Sequence, residues 1–295
     1  MARDGPALPF AVTLAGVALY SLMDALMKGS SLAIGAYSAL LWRSLVGALL
    51  VIPLWRWSGG RWPDGGTVRL HGLRGVVAAA MALTFFFGLT LLPMAEAIAI
   101  SFVAPLIALY LAAATLGETI RKSAVAASLL GLTGVAIIVY ARLGAGEHDR
   151  GASLGIASVL TSAVLYAWNL VLQRRQAQVA KPLEVASFMN TTVLLALLPA
   201  APWLARLPAG LPLAGAIAGA AVLAVSAGML LSWAYARAET QVLVPVEYSA
   251  FGWAALMGWL VFGERLTWPT LFGTALVVVA CWIAAPRKEP EQVAL

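Results

Sequence analysis

Long apolar runs separated by short polar gaps dominate the pattern of hydrophobic and polar positions. A helix needs about 20 predominantly apolar residues to cross the roughly 30 Å hydrocarbon core of a bilayer. The gaps between the runs are too short to hold a soluble domain. Ten runs approach the required length, at approximately 8–27, 36–54, 70–92, 94–116, 123–142, 152–173, 182–204, 211–236, 241–263 and 268–286. The pattern predicts an all-α integral membrane protein with ten transmembrane helices.

The composition agrees with a surface that faces lipid. Apolar residues make up 62% of the chain and charged residues only 11%, whereas soluble domains carry about 25% charged residues. The net charge of +6 does not indicate nucleic-acid binding, because the basic residues lie in the gaps between apolar runs. The single cysteine, Cys281, excludes an internal disulfide and a thiolate metal cluster. We expect no cofactor and no metal. The expected partners are the bilayer and a small-molecule substrate, and the chain could act as a monomer.

The positions of lysine and arginine predict the orientation in the membrane. Cytoplasmic loops carry more basic residues than loops on the opposite side. With the N-terminus inside, thirteen of the 19 basic residues fall in inner segments and five in outer segments. The inner set includes Arg74, near the inner end of the 70–92 run, the outer set includes Lys28, and Arg43 alone lies well inside a run. We therefore expect a multi-pass protein of the inner membrane with both termini in the cytoplasm.

An internal repeat appears when the chain is shifted by 146 residues against itself. Each match alone is weak, because apolar helices resemble one another by chance, but four matches share one offset without gaps. The predicted domains are the halves 1–146 and 147–295, with five helices each. The shift places Leu19-Tyr20 on Leu165-Tyr166, Lys28 on Arg174, Pro53 on Pro199 and Gly117-Glu118 on Gly263-Glu264.

The odd number of helices in each half determines how the halves are related. A second copy of a five-helix unit enters the membrane from the opposite side, so a pseudo-two-fold axis in the membrane plane relates the two copies. Inverted repeats of this kind recur in secondary transporters, with the substrate site near the midplane between the repeats. The pattern predicts two inverted five-helix repeats around a central cavity.

Two segments that end in Gly-Glu resemble a known family. One runs from Phe102-Val103-Ala104-Pro105 to Leu116-Gly117-Glu118, and the other from Pro245-Val246-Glu247-Tyr248 to Phe262-Gly263-Glu264-Arg265. Together with the ten spans, they resemble the EamA-type drug/metabolite transporter (DMT) superfamily over nearly the whole chain. The stretch 246–250 is most similar to YddG-type exporters of aromatic amino acids. The second half departs from the repeat at Phe251, where Pro105 would have its counterpart. The resemblance implies a basket of helices around a substrate cavity, with the fifth and tenth helices peripheral.

Three residues inside the runs are candidates for gating or coupling. Pro105 removes a helical hydrogen bond to the Ser101 carbonyl, so it forms either a packed kink or an opening of backbone groups toward a cavity. Arg43 lies about seven residues inside its run, and Asp24 lies near the outer end of the preceding run. Intramembrane charges are costly and are almost always paired. The two residues are either a structural ion pair at the outer mouth, or a gate or an anchor for a substrate carboxylate.

The glutamates divide in the same way. Glu247 lies at membrane depth two residues after Pro245, and it is either a proton or substrate site or a neutral structural residue. Glu96 lies in the first turn of its run, where the helix dipole favours an acid. Glu264 ends its run beside Arg265, which indicates an interfacial anchor.

Aromatic residues deep in the runs are candidates for contact with substrate, because small-molecule sites are mostly apolar with a few polar groups. Packing is the alternative role for each. The repeat supports Tyr20 and Tyr166, and adjacent polar residues support Phe102 and Trp168. The expected substrate-binding residues are Tyr20, Phe85, Ser101, Phe102, Tyr166, Trp168, Asn169 and Tyr248, and the expected gating or coupling residues are Asp24, Arg43, Pro105 and Glu247.

These observations predict a secondary transporter that moves small metabolites across the inner membrane by alternating access. Export of amino acids, with aromatic ones favoured, is the leading prediction, and export of other metabolites or drugs is the alternative. The chain has no Gly-rich loop ending in Lys-Ser or Lys-Thr, so we do not expect ATP-driven pumping. An intramembrane enzyme needs converging catalytic groups or metal ligands, and His71 and His148 lie at a run edge and in a gap. A channel needs a continuous polar pore, which the runs do not provide.

The topology predicts opposite accessibility for two positions. Single cysteines in place of Ser58 and Gly146, in a Cys281→Ala background, should lie inside and outside the membrane respectively. A membrane-impermeant thiol reagent should label the second in intact cells and the first only after permeabilisation. Labelling of both positions in intact cells contradicts the topology.

Overall fold

The computed structural model describes residues 7–116, 122–144, 150–235, 237, 243 and 246–284, and this part of the chain consists of helices and short connections. A 3₁₀ turn, Leu198–Ala200, joins the eighth and ninth helices. In chain order the helices are α1 (Ala7–Ile34), α2 (Ala36–Trp57), α3 (Gly65–Leu91), α4 (Met94–Ser101), α5 (Ala104–Leu116), α6 (Lys122–Gly144), α7 (Arg150–Ala177), α8 (Pro182–Leu197), α9 (Ala201–Leu204), α10 (Gly210–Tyr235), α11 (Ala250–Phe262) and α12 (Trp268–Ala284).

The helices confirm an all-α membrane protein. Eight described segments are long and apolar enough to cross a bilayer. Two shorter apolar helices, Ala250–Phe262 and Trp268–Ile283, lie where the ninth and tenth spans were predicted. Part of the predicted ninth span, and the Gly117-Glu118 half of the repeat motif, lie outside the described residues. The arrangement agrees with ten spans.

Two helices are longer than the apolar pattern predicted, and each carries a charge into the bundle. Helix α1 continues to Ile34, so Lys28 lies inside it and is buried. Helix α3 begins at Gly65 rather than near residue 70, so Arg74 lies well inside it and is also buried. The assignment of these two residues to the segments at the ends of the spans was therefore wrong. A run of apolar residues ends at a charge, but a helix continues when the charge finds partners inside the bundle.

The first turn of α3 is fixed by a side-chain cap. The Asp64 carboxylate accepts hydrogen bonds from the backbone amides of Gly66 and Thr67, at 2.8 and 3.1 Å, and from the Thr67 hydroxyl at 2.7 Å. The bond from the Thr67 hydroxyl, followed by those from the amides, lowers the pKa of Asp64 below its ordinary value. A cap of this type satisfies amides that have no partner in the helix.

The fourth span is interrupted at Phe102 and Val103, which separate α4 from α5. Pro105 has no amide proton, so the Ser101 carbonyl lacks its helical donor. The chain tightens around the break: the Val103 amide donates to the Ile100 carbonyl at 3.2 Å, and the Leu106 amide donates to the Val103 carbonyl at 3.1 Å. The interruption expected from the proline is therefore present near the middle of the span.

The main contacts between helices occur in the pairs that a two-fold relation requires. Helix α1 packs extensively on α10, and α3 packs to the same extent on α7. The 146-residue shift converts the first of these pairs into the second. The other two extensive pairs, α6 with α12 and α2 with α8, are each converted into themselves. The contacts support two repeats related by a pseudo-two-fold axis, with α6 and α12 packed mainly on each other.

Glycine permits the close approach of α6 and α12. A Cβ atom on Gly134 would lie 2.5 Å from the Gly273 carbonyl oxygen, and one on Gly273 would lie 2.6 Å from the Gly134 carbonyl oxygen. Small residues at such crossings let the backbones of membrane helices touch. This crossing joins the peripheral helices of the two halves.

Alanine at either glycine should force the two helices apart. We expect Gly134→Ala and Gly273→Ala each to destabilise the protein by about 1–3 kcal/mol, as overpacking does, which corresponds to a fall of a few degrees in the thermal unfolding midpoint. Gly215→Ala is the matched control, since a Cβ there meets nothing within 4 Å. The midpoint is measured on purified protein in detergent. Equal midpoints for all three variants contradict this packing.

Candidate substrate site

A cluster of ionisable side chains lies between the two halves. Tyr20 on α1 lies within electrostatic range of Arg43, Asp24, Arg74 and Glu247. Tyr166 on α7 lies within electrostatic range of Glu247, Tyr20 and Arg74. The two tyrosines that the repeat matches therefore lie near the same charged groups. We call this group the central cluster, and its members are Tyr20, Asp24, Arg43, Arg74, Tyr166 and Glu247.

Arg43 and Asp24 are close but not in direct contact. Arg43 interacts electrostatically with Asp24, yet among the described residues no ion pair within 4.0 Å joins the two. The guanidinium instead approaches the Met23 sulfur, with Nη1 3.6 Å from Sδ, and lies 5.5 Å from the centroid of the Phe86 ring. The arrangement leaves both charged groups in the interior without a tight mutual bond.

Arg74 on α3 belongs to the site, although the count of basic residues assigned it to an inner segment. It is 7% exposed. Its Nε donates to Asn169 Oδ1 at 3.0 Å, its Nη2 donates to Gln173 Oε1 at 3.2 Å, and its Nη1 donates to Gln176 Oε1. These three amides belong to α7, so the contact joins the first half to the second. Asn169 was expected in the site, and its role here is to orient an arginine.

A chain of polar contacts continues from Arg74 toward the N-terminal end of α3. The Gln176 side-chain amide contacts His71 Nδ1, and His71 Nε2 lies 3.1 Å from a Glu184 carboxylate oxygen. The His71 ring also stacks on Phe188, with centroids 4.4 Å apart. The prediction that His71 lies at the edge of a span was wrong, because α3 starts earlier and carries the imidazole into the interface with α7 and α8.

Aromatic side chains flank the break in the fourth span. The rings of Phe102 and Tyr248 meet edge to face, with centroids 5.3 Å apart and an angle of 82°. The Cys281 thiol of α12 donates to the Phe102 carbonyl at 3.3 Å, so a carbonyl at the break is satisfied. Tyr248 lies in electrostatic range of Tyr166 and Glu247. This aromatic pair is therefore adjacent to the central cluster.

The remaining expected site residues have varied positions. Phe85 is partly buried and packs against Phe86, with centroids 5.5 Å apart. The Ser101 hydroxyl donates to the Ala97 carbonyl at 2.9 Å within its own helix. Pro105 is partly buried. None of these three residues contributes a charged group to the site.

Trp168 lies on a different face of α7 from Tyr166. It is 42% exposed, and it shares an exposed stripe with Thr161 and Val164, at the spacing of one helix face. Trp168 follows Tyr166 by two positions in the helix, which turns the side chains about 200° apart. The expectation that Trp168 walls the cavity required an inward side chain, and sequence periodicity alone did not show that α7 turns this face outward. Trp168 is not part of the site proposed below.

One sequence signal could have identified the Arg74 contact. Asn169, Gln173 and Gln176 occupy positions i, i+4 and i+7 of one helix, which places three amides on one face. A polar face on a membrane helix requires a partner inside the bundle. The spacing indicates that these amides need a polar partner, but it does not identify that partner.

A second polar contact joins the halves at the end of the bundle that the predicted topology assigns to the outer side, and we call it the outer clamp. The Lys28 ammonium donates to a Glu264 carboxylate oxygen and, at 2.7 Å, to the Leu92 carbonyl. The other oxygen of Glu264 accepts from the Met94 amide at 2.7 Å. Lys28 also lies 5.1 Å from the centroid of the Phe262 ring. Glu264 therefore bonds across the two halves rather than serving as an interfacial anchor.

Further contacts close the outer ends of neighbouring helices. The Tyr37 hydroxyl donates to the Leu197 carbonyl, and the Trp42 indole donates to the Arg206 carbonyl at 2.8 Å. Glu96 is buried at the start of α4, with a carboxylate oxygen 3.6 Å from Arg142 Nε. Glu96 therefore has a basic partner, Arg142, in addition to its favourable position at the helix N-terminus. The first two contacts tie α2 to the segments around α8 and α9.

The fold and the site together define a class of protein. Inverted helical repeats with a buried ionisable cluster at their interface are a device of secondary transporters. The chain belongs to the EamA-like transporter family, whose model matches residues 8–140 and 153–285. The family is one of transporters and not of enzymes, and the predicted DMT resemblance is confirmed at this level. The narrower YddG-type resemblance stays a prediction, as do the domain boundaries 1–146 and 147–295.

Named relatives of similar length support this assignment. The pseudopaline exporter CntI of Pseudomonas aeruginosa is 26% identical over 270 residues, which cover 92% of this chain and 93% of the exporter. A riboflavin transporter of Brucella anthropi is 25% identical over 252 residues, covering 81% and 84%. A solved structure, described only as the crystal structure of a protein, aligns with a TM-score of 0.64 at 21% identity, over 94% of this chain and 96% of the other. That structure supports the fold alone.

The outer clamp should show strong coupling between its two charged residues. Lys28→Met or Glu264→Gln leaves one buried charge without its partner, which costs about 3–5 kcal/mol for a buried pair. The double variant removes both charges and should be destabilised by clearly less than the sum of the two single variants. Thermal unfolding midpoints of the four proteins in detergent measure the coupling, with Arg265→Gln as an exposed control. Full additivity shows that the pair contributes no interaction energy.

Proposed function

We propose that this protein exports amino acids or metabolites derived from them across the inner membrane by alternating access, with aromatic ones favoured. The observation that carries the proposal is the central cluster, which combines acids, bases and phenols between two inverted halves. Both termini are taken to be cytoplasmic, no cofactor is required, and a single chain supplies the whole site.

The chemistry of an amino acid fits these groups. The α-carboxylate needs a cationic or N–H donor, and the α-ammonium needs carboxylate or carbonyl acceptors. The central cluster offers cations at Arg43 and Arg74 and carboxylates at Asp24 and Glu247. An electrostatically balanced lining of this kind favours a zwitterion over a simple cation or a simple hydrocarbon.

Aromatic side chains supply the apolar part of the site. Tyr20 and Tyr166 approach from repeat-matched positions, and Phe102 with Tyr248 forms an edge-to-face pair beside them. Aromatic rings prefer offset or edge-to-face neighbours, and such pairs contribute about 0.5–1.5 kcal/mol beyond area burial. A substrate ring placed against this surface gains affinity that an aliphatic side chain does not.

The relatives support export of a small metabolite and leave its identity open. One is named as an exporter of pseudopaline and another as a transporter of riboflavin. Export of a different metabolite or a drug is therefore the second candidate. Asp24, Arg43 and Glu247 are the groups able to couple transport to protons, and Pro105 marks the break where the fourth span can bend.

Transport in proteoliposomes tests the proposal and ranks its alternatives. Purified protein should carry labelled phenylalanine, tyrosine or tryptophan faster than leucine or alanine, with rates that saturate. Riboflavin and a lipophilic cation are added to the same panel. Transport of either one, without transport of amino acids, favours the second candidate, export of a different metabolite or a drug. A pH gradient that changes the initial rate indicates proton coupling. If proteoliposomes take up every amino acid no faster than liposomes without protein, the proposed substrate class is wrong.

The aromatic surface should determine the ranking of substrates. Phe102→Ala should reduce transport of aromatic amino acids about tenfold, the effect of losing roughly 1.4 kcal/mol of contact, while transport of leucine falls much less. Phe87→Ala is the matched control, because Phe87 is 45% exposed on α3. Rates are expressed per folded molecule. An equal loss for aromatic and aliphatic substrates indicates that Phe102 only packs the fourth span.

A further inference from the structure

Arg74 differs from Lys28 in the charge of its partners. Lys28 is buried against the Glu264 carboxylate, so its charge is neutralised locally. The Arg74 guanidinium is buried against three amide oxygens, from Asn169, Gln173 and Gln176, and each is neutral. Amides satisfy hydrogen bonds, but they do not cancel a formal charge. A cation held in this way keeps most of its attraction for an anion.

The three amides hold the guanidinium in one orientation. A guanidinium has five N–H donors in a planar fork, and the amides accept from one N–H on each of its three nitrogens. Two donors, one on each terminal nitrogen, remain for another acceptor. A fork that is already oriented loses little entropy when it binds a planar carboxylate through two parallel hydrogen bonds.

The neighbours of Arg74 place it at the interface of the halves. Its charged group lies in electrostatic range of the phenols of Tyr20 and Tyr166. The 146-residue repeat matches these tyrosines, so a point close to both lies near the pseudo-two-fold axis. Inverted-repeat transporters bind their substrates at this interface. Arg74 therefore reaches the region where the proposed substrate binds.

We propose that Arg74 is the anchor for a carboxylate of the transported molecule, oriented by the side-chain amides of Asn169, Gln173 and Gln176. This inference rests on the proposed function and names the group that its substrate must carry. An acidic residue in place of these amides would occupy the guanidinium and compete with the substrate. Neutral acceptors hold the arginine in position and leave its charge to the ligand, which makes Arg74 a determinant of specificity.

A purely structural role makes a different prediction. As a strap between α3 and α7, Arg74 would affect stability but would not distinguish a carboxylate from a neutral amide in a ligand. As an anchor, it gives the carboxylate two charge-assisted hydrogen bonds that a carboxamide cannot match. The ratio of affinities for an acid and its amide is therefore the discriminating quantity, since a general loss of folding changes both affinities together.

Calorimetric titration of purified protein in detergent measures that ratio. The ligands are two matched pairs, phenylalanine with phenylalaninamide and succinate with succinamide. Titrations are made near pH 6 so that both phenylalanine compounds carry a protonated amino group. The proteins are the wild type, Arg74→Gln, Arg74→Lys and, as a control, Arg69→Gln, which removes an exposed arginine from the same helix.

The anchor predicts a preference for the acid of at least about tenfold in one or both pairs for the wild type and Arg69→Gln. The preference should fall close to one in Arg74→Gln and be partly retained in Arg74→Lys. A wild type that binds acid and amide equally, or binds neither carboxylate, overturns the anchor, as does an Arg74→Gln protein with an unchanged ratio. Saturable transport of phenylalaninamide and phenylalanine at equal rates contradicts the proposed role of Arg74 but leaves the proposed transport function intact. Binding of succinate but not phenylalanine supports the anchor and counts against the aromatic preference.

Discussion

Every polar group that this chain carries into the membrane interior needs a partner, because water is not available there to solvate it. The described structure supplies several of these partners from the opposite half. Lys28 reaches Glu264, Arg74 reaches Asn169, and Tyr37 reaches the Leu197 carbonyl. Separating the two inverted repeats would leave these buried groups without partners, so the polar contacts hold the repeats together. The apolar contacts of the bundle determine which helices touch, and the polar contacts determine their register.

This division of roles suits a transporter. The crossing of α6 and α12 at Gly134 and Gly273 is closely packed, so it can persist through a conformational change. Polar contacts such as the outer clamp are different, since water that enters an opening cleft can replace each hydrogen bond that is lost. Separation of the halves at the outer side then costs far less than separation of a packed apolar interface.

The apolar runs, the 146-residue repeat and the break near Pro105 could be predicted, because each depends on local composition or on spacing along the chain. The roles of Lys28 and Arg74 could not be predicted in the same way. A hydropathy pattern ends a span at a charge, whereas the helix continues when a distant residue supplies a partner. The outward face of Trp168 was missed for a related reason, since the rotation of α7 is set by its packing on α3. Sequence thus predicted the elements, and packing between the repeats determined the site.

In the proposed export cycle, the halves separate at the outer clamp so that substrate can leave. The most direct measurement replaces Lys28 and Glu264 with cysteine in a Cys281→Ala background and joins them with a short bis-methanethiosulfonate, which forms a disulfide with each thiol as methanesulfinate leaves and can be removed by reduction. Transport of labelled substrate by proteoliposomes is compared before crosslinking, after it, and after reduction. Crosslinked protein should still bind substrate, should not transport it, and should recover transport on reduction. Transport at the uncrosslinked rate while the crosslink is intact contradicts opening at the outer clamp.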